Sequence, residues 1–207
     1  MELKTCKIYL VTDEKACLGK DFCACIEEAI KGGVKIVQLR EKNISTKDFY
    51  EKALKVKEIC KNYGALFIIN DRLDIAQVVG ADGVHLGQSD MPIEKAREIL
   101  KDKFLIGATA RNVEEAKRAE LLGADYIGSG AIFGTNTKDN AKKLEMEELK
   151  KIVTSVKIPV FAIGGINIDN VSILKNIGLQ GMVSIPTTQL CCFTVSYTHL
   201  RAHETPE

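Results

Sequence analysis

The stretch from Val34 to Lys42 reads VKIVQLREK. Its first half is a short, apolar, β-branched run, which predicts a strand buried on both faces. Its second half becomes polar and basic without a Gly or Pro. Because side chains alternate along a strand, we expect Gln38 and Arg40 to share the face of Val34 and Ile36.

Cations follow the buried part of this strand. If its inner face lines a barrel, the strand brings Gln38, Arg40 and Lys42 to the mouth of that barrel. Arg supplies a two-pronged donor and Lys a point charge, and both suit phosphate oxygens. The pattern therefore indicates an anion site, and the alternative is an ordinary solvated loop.

The composition is that of a globular protein. The chain has 207 residues, of which 45% are hydrophobic and 28% charged, and its net charge is +1. No basic block indicates nucleic acid, and the apolar run Ile8 to Val11 is too short for a signal peptide or a membrane span. The seven cysteines form no zinc-binding pattern, so we expect reduced thiols in a cytoplasmic protein.

Strand and helix patterns alternate seven times along the chain, and the last predicted helix is Ile168 to Ile177. Two strands follow a Gly-Ala-Asp junction, at residues 80–82 and 123–125. Strict alternation with short loops predicts a parallel sheet. With an eighth strand expected near Gly181, the sequence predicts an α/β (β/α)8 TIM barrel.

The end of the chain departs from this rhythm. Gly181 to Ile185 can begin an eighth strand, but Pro186 interrupts it, and residues 189–207 show no amphipathic helix. We therefore expect a barrel domain over residues 1–185 whose eighth βα unit is incomplete, followed by an atypical tail, non-native or disordered, over 186–207. Such a barrel would stay open and expose strands one and seven as edges.

Polar residues follow most of the predicted strands, at the barrel face where active sites lie. In chain order these residues are Gln38, Arg40, Lys42, Asn70, Asp71, His85, Asp90, Thr109, Thr135, Asn136, Thr137, Lys138, Gly164 and Gly165. Two carboxylates among several cations indicate a divalent metal that joins a diphosphate to the protein.

Several of these residues also have a simpler interpretation. Asp71 and Asp90 precede helices and can be N-caps. The Gly164-Gly165 pair can be an ordinary turn, and residues 135–138 an ordinary solvated loop. For His85, between Val84 and Leu86, we favour a packed, hydrogen-bonded side chain over a catalytic base.

Six motifs together resemble the thiamine-phosphate synthase family. In chain order they read VQLREK (37–42), INDR (69–72), GVHLGQ (83–88) with Asp90, IGAT (106–109), TNTK (135–138) and AIGGI (162–166). They occur in the order typical of that family, and they extend from about Leu10 to Gly181. Each motif is weak alone, but the set is specific.

The resemblance implies a transferase that condenses 4-amino-2-methyl-5-(diphosphooxymethyl)pyrimidine with thiazole phosphate in thiamine biosynthesis and releases pyrophosphate. It implies that Mg²⁺ is bound by Asp71 and Asp90. The implied substrate-binding residues are Gln38, Arg40, Lys42, Asn70 and Thr109 for the pyrimidine diphosphate, and Thr135, Thr137 and Gly165 for the thiazole phosphate. Leu39, Glu41 and Asn136 are also implied to bind substrate. Lys138 would contact the leaving diphosphate, and Arg40, Lys42 and Lys138 would act as the catalytic cations.

The family normally continues after Gly181 with a Val-Ser or Ile-Ser pair that binds the thiazole phosphate, and then a closing helix. Here Val183-Ser184 resembles a displaced remnant of that pair, so our hypothesis is a truncated or misassembled copy of a synthase. The alternatives are a thiazole tautomerase-like relative and a non-catalytic phosphate-binding barrel. We expect small-molecule substrates and a homo-oligomer as partners, with neither nucleic acid nor membrane.

Overall fold

Eight parallel strands form a closed barrel in the computed structural model of this chain, which describes residues 3–17, 19–133, 143–167 and 169–184. The strands are β1 (Ile8–Val11), β2 (Ile36–Leu39), β3 (Leu66–Asn70), β4 (Gly83–Leu86), β5 (Leu105–Thr109), β6 (Tyr126–Gly130), β7 (Val160–Ile163) and β8 (Gly181–Ser184). Each strand pairs with the next, so the predicted (β/α)8 architecture is confirmed.

Helices separate most of these strands. They are α1 (Phe22–Lys31), α2 (Thr46–Tyr63), α3 (Leu73–Val79), α4 (Ile93–Leu100), α5 (Val113–Leu121) and α6 (Met146–Ser155). The Ser45 side chain accepts from the backbone of Asp48 to cap α2, and Gly64 ends it with φ 65°, as the sequence predicts. Within the described ranges, no helix is both long and apolar enough for a membrane span.

The core has two layers. Inside the barrel, the rings of Tyr9, Tyr126 and Phe161 pack edge to face with centroids 5.6 to 5.9 Å apart. Outside it, strand residues pack against the helices, and Val34 belongs to this outer layer. The expected shared face of Val34 and Gln38 is therefore wrong, because β2 begins only at Ile36 and the strand alternation does not extend back to Val34.

The barrel closes at β8. Val183 lies opposite Tyr9 of β1 and Ile163 of β7, so neither neighbouring strand is an exposed edge. The expected open barrel is wrong, because the four residues Gly181–Ser184 suffice for both ladders. The tail 186–207, and any helix that would complete the eighth unit, lie outside the described residues.

The predicted helix Ile168 to Ile177 is wrong over its described part, which holds only a 3-10 turn, Val171–Leu174. The side chains of Asn167 and Asn170 accept hydrogen bonds from each other's backbone, at 2.9 and 3.2 Å. Such local bonds compete with helical ones. The segment after β7 is therefore a tight, side-chain-bonded turn.

Candidate active site

A cation and two carboxylates meet where β2, β3 and β4 end. The Nζ of Lys42, beyond β2, donates to the carboxylate of Asp71, which directly follows β3. Asp90, in the loop after β4, lies near enough to Asp71 for the two carboxyl groups to shift each other's pKa. These three predicted site residues come together because the carboxyl ends of neighbouring parallel strands share one barrel face.

Neither aspartate caps a helix. The residue before α3 is Arg72 and the residue before α4 is Pro92, and no side-chain bond caps either helix. Asp71 has φ 61°, a conformation that costs most non-Gly residues about 1 kcal/mol or more. Asp90 accepts from the backbone N–H of Gly87 at 2.7 Å. The N-cap interpretation is therefore wrong, and both carboxylates face the cluster.

The two carboxylates differ in their electrostatics. Burial opposes ionisation of Asp71, but hydrogen bonds from Lys42 and Asp90 outweigh it and lower the pKa of Asp71. Burial and the Asp71 carboxylate together raise the pKa of Asp90. Adjacent carboxylates disfavour each other's charge, and a cation relieves this repulsion.

This donor set fits Mg²⁺. Magnesium binds one or two protein carboxylates and takes its other oxygens from substrate and water. Among the residues that the structure describes, no group of three or more His, Cys, Asp or Glu side chains is placed to hold a metal. The pair Asp71 and Asp90 thus suits an ion that is completed by phosphate oxygens rather than one enclosed by protein.

A chain of hydrogen bonds runs beneath this cluster. Gln38 is 4% exposed, and its Nε2 donates to the Tyr9 hydroxyl at 2.6 Å. The hydroxyls of Tyr9 and Tyr126 are 2.8 Å apart. His85 continues the chain, with Nδ1 3.3 Å from the Tyr126 hydroxyl and Nε2 3.1 Å from Thr109 Oγ1. The packed, hydrogen-bonded His85 is confirmed, and Gln38 and Thr109 are tied into one network.

Tyr9 and Tyr126 were missed by the sequence analysis. Burial raises the pKa of both phenols, so they stay neutral and can each donate and accept. The available signal was a tyrosine inside each of the two short apolar strands IYLV and YIGSG, since a buried tyrosine needs a hydrogen-bond partner.

Arg40 and its two neighbours in sequence, Leu39 and Glu41, make contacts with different parts of the barrel. The Arg40 N–H donates to Thr12 Oγ1 at 3.1 Å, which ties β2 to the segment after β1. Leu39 is fully buried in the outer layer, so only its backbone can reach a ligand. The Glu41 carboxylate accepts from Lys52 of α2 at 2.5 Å. The predicted substrate contacts of Leu39 and Glu41 stay predictions.

The remaining predicted residues lie on the same face or outside the described ranges. Asn70 is the last residue of β3 and Thr109 the last of β5. Gly165 follows β7 with φ 64°, and its carbonyl accepts from Asn170 Nδ2 at 2.9 Å. The Gly164-Gly165 pair forms a turn, and its predicted phosphate contact stays a prediction. Thr135, Asn136, Thr137 and Lys138 lie outside the described residues.

The family model described as thiamine monophosphate synthase matches residues 8–187. The chain belongs to the thiamine monophosphate synthase family. A thiamine-phosphate synthase of Fusobacterium nucleatum is 86% identical over 185 residues, which are 89% of this chain and 90% of that protein. One of Clostridium acetobutylicum is 55% identical over 176 residues, 85% of this chain and 83% of that protein.

A solved structure agrees with the sequence comparisons. The thiamine phosphate pyrophosphorylase of Pyrococcus furiosus superposes with a TM-score of 0.87 at 38% identity, over 97% of this chain and 98% of that chain. The family, the barrel fold and the transferase class that the motifs predicted are confirmed. As a member of the thiamine monophosphate synthase family, the chain is an enzyme that acts on small molecules.

Proposed function

We propose that this enzyme joins 4-amino-2-methyl-5-(diphosphooxymethyl)pyrimidine to thiazole phosphate, forming thiamine phosphate and pyrophosphate. The observation that carries the proposal is the meeting of Lys42, Asp71 and Asp90 at neighbouring strand ends. A cation beside two carboxylates suits a substrate that carries a metal-bound diphosphate. The activity is the one for which the 86% identical relative is named.

The pyrimidine diphosphate would lie between β2, β3 and β5. Gln38, held by the Tyr9 hydroxyl, and Thr109, held by His85, would bind the pyrimidine. Arg40, Lys42 and Asn70 would bind the diphosphate. Thr135, Asn136, Thr137 and Gly165 would bind the thiazole phosphate.

Asp71 and Asp90 would hold Mg²⁺. When bound, the ion supplies positive charge to the diphosphate oxygens. We propose this metal because two adjacent carboxylates, one of them with a raised pKa, form an incomplete oxygen donor set.

The chemistry needs charge stabilisation and not a protein nucleophile. The bond between the pyrimidine methylene and the diphosphate oxygen breaks, and its electron pair leaves with the diphosphate. The thiazole nitrogen donates its lone pair to the methylene carbon and forms the new C–N bond. Arg40, Lys42 and Lys138 would stabilise the negative charge that grows on the departing diphosphate.

The remaining parts of the proposal concern the whole chain. We assign catalysis to residues 1–185 and treat 186–207 as an atypical tail outside the catalytic domain. We place the enzyme in the cytoplasm, acting on small molecules without nucleic acid or membrane, and as a homo-oligomer.

A coupling assay on the purified chain tests this function. Pyrimidine diphosphate, thiazole phosphate and Mg²⁺ should yield thiamine phosphate, and EDTA should abolish the product. A folded chain that binds pyrophosphate without turnover would overturn the proposal in favour of the non-catalytic barrel. Isomerisation of a thiazole substrate without pyrimidine diphosphate would instead favour the tautomerase-like alternative.

A further inference from the structure

Lys52 of α2 joins two loops at the catalytic face. Its Nζ lies 2.7 Å from Glu14 Oε2, in the segment after β1, and 2.5 Å from Glu41 Oε1, in the segment after β2. The same nitrogen lies 4.2 Å from the centroid of the Phe22 ring. The Lys52 side chain is 18% exposed, so these contacts are largely shielded from water.

Glu41 is the partner that matters for the site. Its side chain is 11% exposed, against 62% for Glu14, so Glu41 depends more on its ion pair than Glu14 does. A carboxylate that is nearly buried is costly unless a cation or several donors pair with it. Burial opposes the charge of Lys52, but its two carboxylate partners outweigh burial and raise the pKa of Lys52, so Lys52 stays charged.

Glu41 also stands between the two cations of the proposed diphosphate site, Arg40 and Lys42. In the structure Lys42 forms an ion pair with Asp71, while Glu41 forms one with Lys52. Without the ammonium of Lys52, the cations adjacent in sequence would be the available partners for Glu41. A carboxylate paired with either of them would compete directly with a diphosphate.

We propose that Lys52 is a positioning residue for diphosphate binding: it holds the Glu41 carboxylate away from Arg40 and Lys42. This inference rests on the proposed function, and it assigns Glu41 to the support of the site instead of to substrate contact. Lys52 touches no reacting atom, so its effect should appear in diphosphate affinity.

Lys52→Gln tests the proposal with two readouts. Calorimetry with inorganic pyrophosphate and Mg²⁺ should show a Kd about tenfold higher than that of the wild type. The KM for the pyrimidine diphosphate should rise by a similar factor, while the KM for thiazole phosphate stays within about twofold. Lys52→Arg, which keeps the charge, should stay within about threefold of the wild type.

A matched control lies on the same helix. The side chain of Lys47 is 82% exposed and lies 4.0 Å from Glu51, so Lys47→Gln removes a lysine of α2 without touching the loops. Its pyrophosphate affinity should equal that of the wild type. An equal loss of affinity in Lys47→Gln and Lys52→Gln would overturn the proposal, as would wild-type affinity in folded Lys52→Gln.

The double variant Lys52→Gln, Glu41→Gln separates this role from simple destabilisation. It removes the carboxylate that would compete, so its pyrophosphate affinity should return to within about threefold of the wild type. Because it buries no unpaired charge, it remains informative if Lys52→Gln fails to fold. A double variant that binds pyrophosphate about tenfold more weakly than the wild type would contradict the proposal.

A wild-type chain that binds pyrophosphate but forms no thiamine phosphate would refute the proposed function. The comparison of pyrophosphate affinities among the variants would remain valid.

Discussion

Lys42 and Asp71 contact each other across the ends of β2 and β3, although 29 positions separate them in sequence. The contact lowers the pKa of Asp71 against the effect of burial and so keeps this carboxylate ionised. It also holds the lysine side chain at the site before any ligand arrives. When a diphosphate binds with its cation, Lys42 can pair with the diphosphate and Asp71 with the cation. Both protein charges are already in place for this exchange.

The two carboxylates should be needed for metal-dependent turnover. We expect Asp71→Asn and Asp90→Asn each to lower thiamine phosphate formation by about 100-fold or more, because each removes a ligand charge from the Mg²⁺ site. The measurement is turnover across a Mg²⁺ titration. The control is Asp74→Asn, whose exposed carboxylate pairs with Arg72 in the first turn of α3. An Asp71→Asn enzyme with unchanged Mg²⁺ dependence would refute the assignment.

Lys42 should act mainly on the diphosphate. We expect Lys42→Gln to lower kcat/KM for the pyrimidine diphosphate by about 100-fold, because the charge that grows on the leaving group loses one stabilising cation. Steady-state kinetics with each substrate varied in turn makes the measurement. Lys61→Gln, at the exposed end of α2, is the matched control and should behave as wild type. Equal kinetics in both variants would exclude Lys42 from the site.

Tyr9→Phe should destabilise the barrel interior. The change removes the Tyr9 partner of the Gln38 amide and one of the two hydrogen-bonding neighbours of the Tyr126 hydroxyl, so we expect a loss of about 1–3 kcal/mol in the free energy of unfolding. Urea denaturation measures it. Tyr63→Phe is the control, because the Tyr63 hydroxyl donates to Glu27 at 3.2 Å in an exposed position, and we expect a change within about 0.5 kcal/mol. Similar losses in the two variants would argue against a buried network.

Gly181→Ala should open the barrel at β8. A Cβ at this position would overlap the backbone carbonyl of Lys7, which precedes β1. We expect a loss of about 2–4 kcal/mol in the free energy of unfolding, because a backbone group cannot rotate away as a side chain can. Hydrogen exchange in β1 and β8 should accelerate selectively.

Gly64→Ala provides the comparison for this variant. At Gly64 a side chain would be strained by the backbone, because φ is 65°. The added Cβ would meet no neighbouring atom within 4 Å. It should cost about 1 kcal/mol and leave exchange in β1 and β8 unchanged. Normal exchange at both strands in Gly181→Ala would mean that the closure does not depend on this close approach.

The predictions succeeded where the signal was local. Ser45 and Gly64 delimit α2 as expected, because capping and left-handed turns depend on a few adjacent residues. They failed after β7, where Asn167 and Asn170 form a side-chain-bonded turn in place of a helix. The eighth strand near Gly181 was predicted correctly, but the closure of the barrel was not, because the pairing of Val183 with two strands depends on partners far away in the sequence.

By itself, the sequence determined the alternation of strands and helices, the parallel barrel and the residues at most strand ends, since hydrophobic periodicity and turn residues act over short distances. Only the tertiary structure decided how those ends combine. It joined Lys42 to Asp71, buried the chain from Gln38 through Tyr9 to Tyr126, and paired Glu41 with Lys52. Charge pairing and buried hydrogen bonds depend on distances across the barrel, and the folding of the whole chain sets those distances.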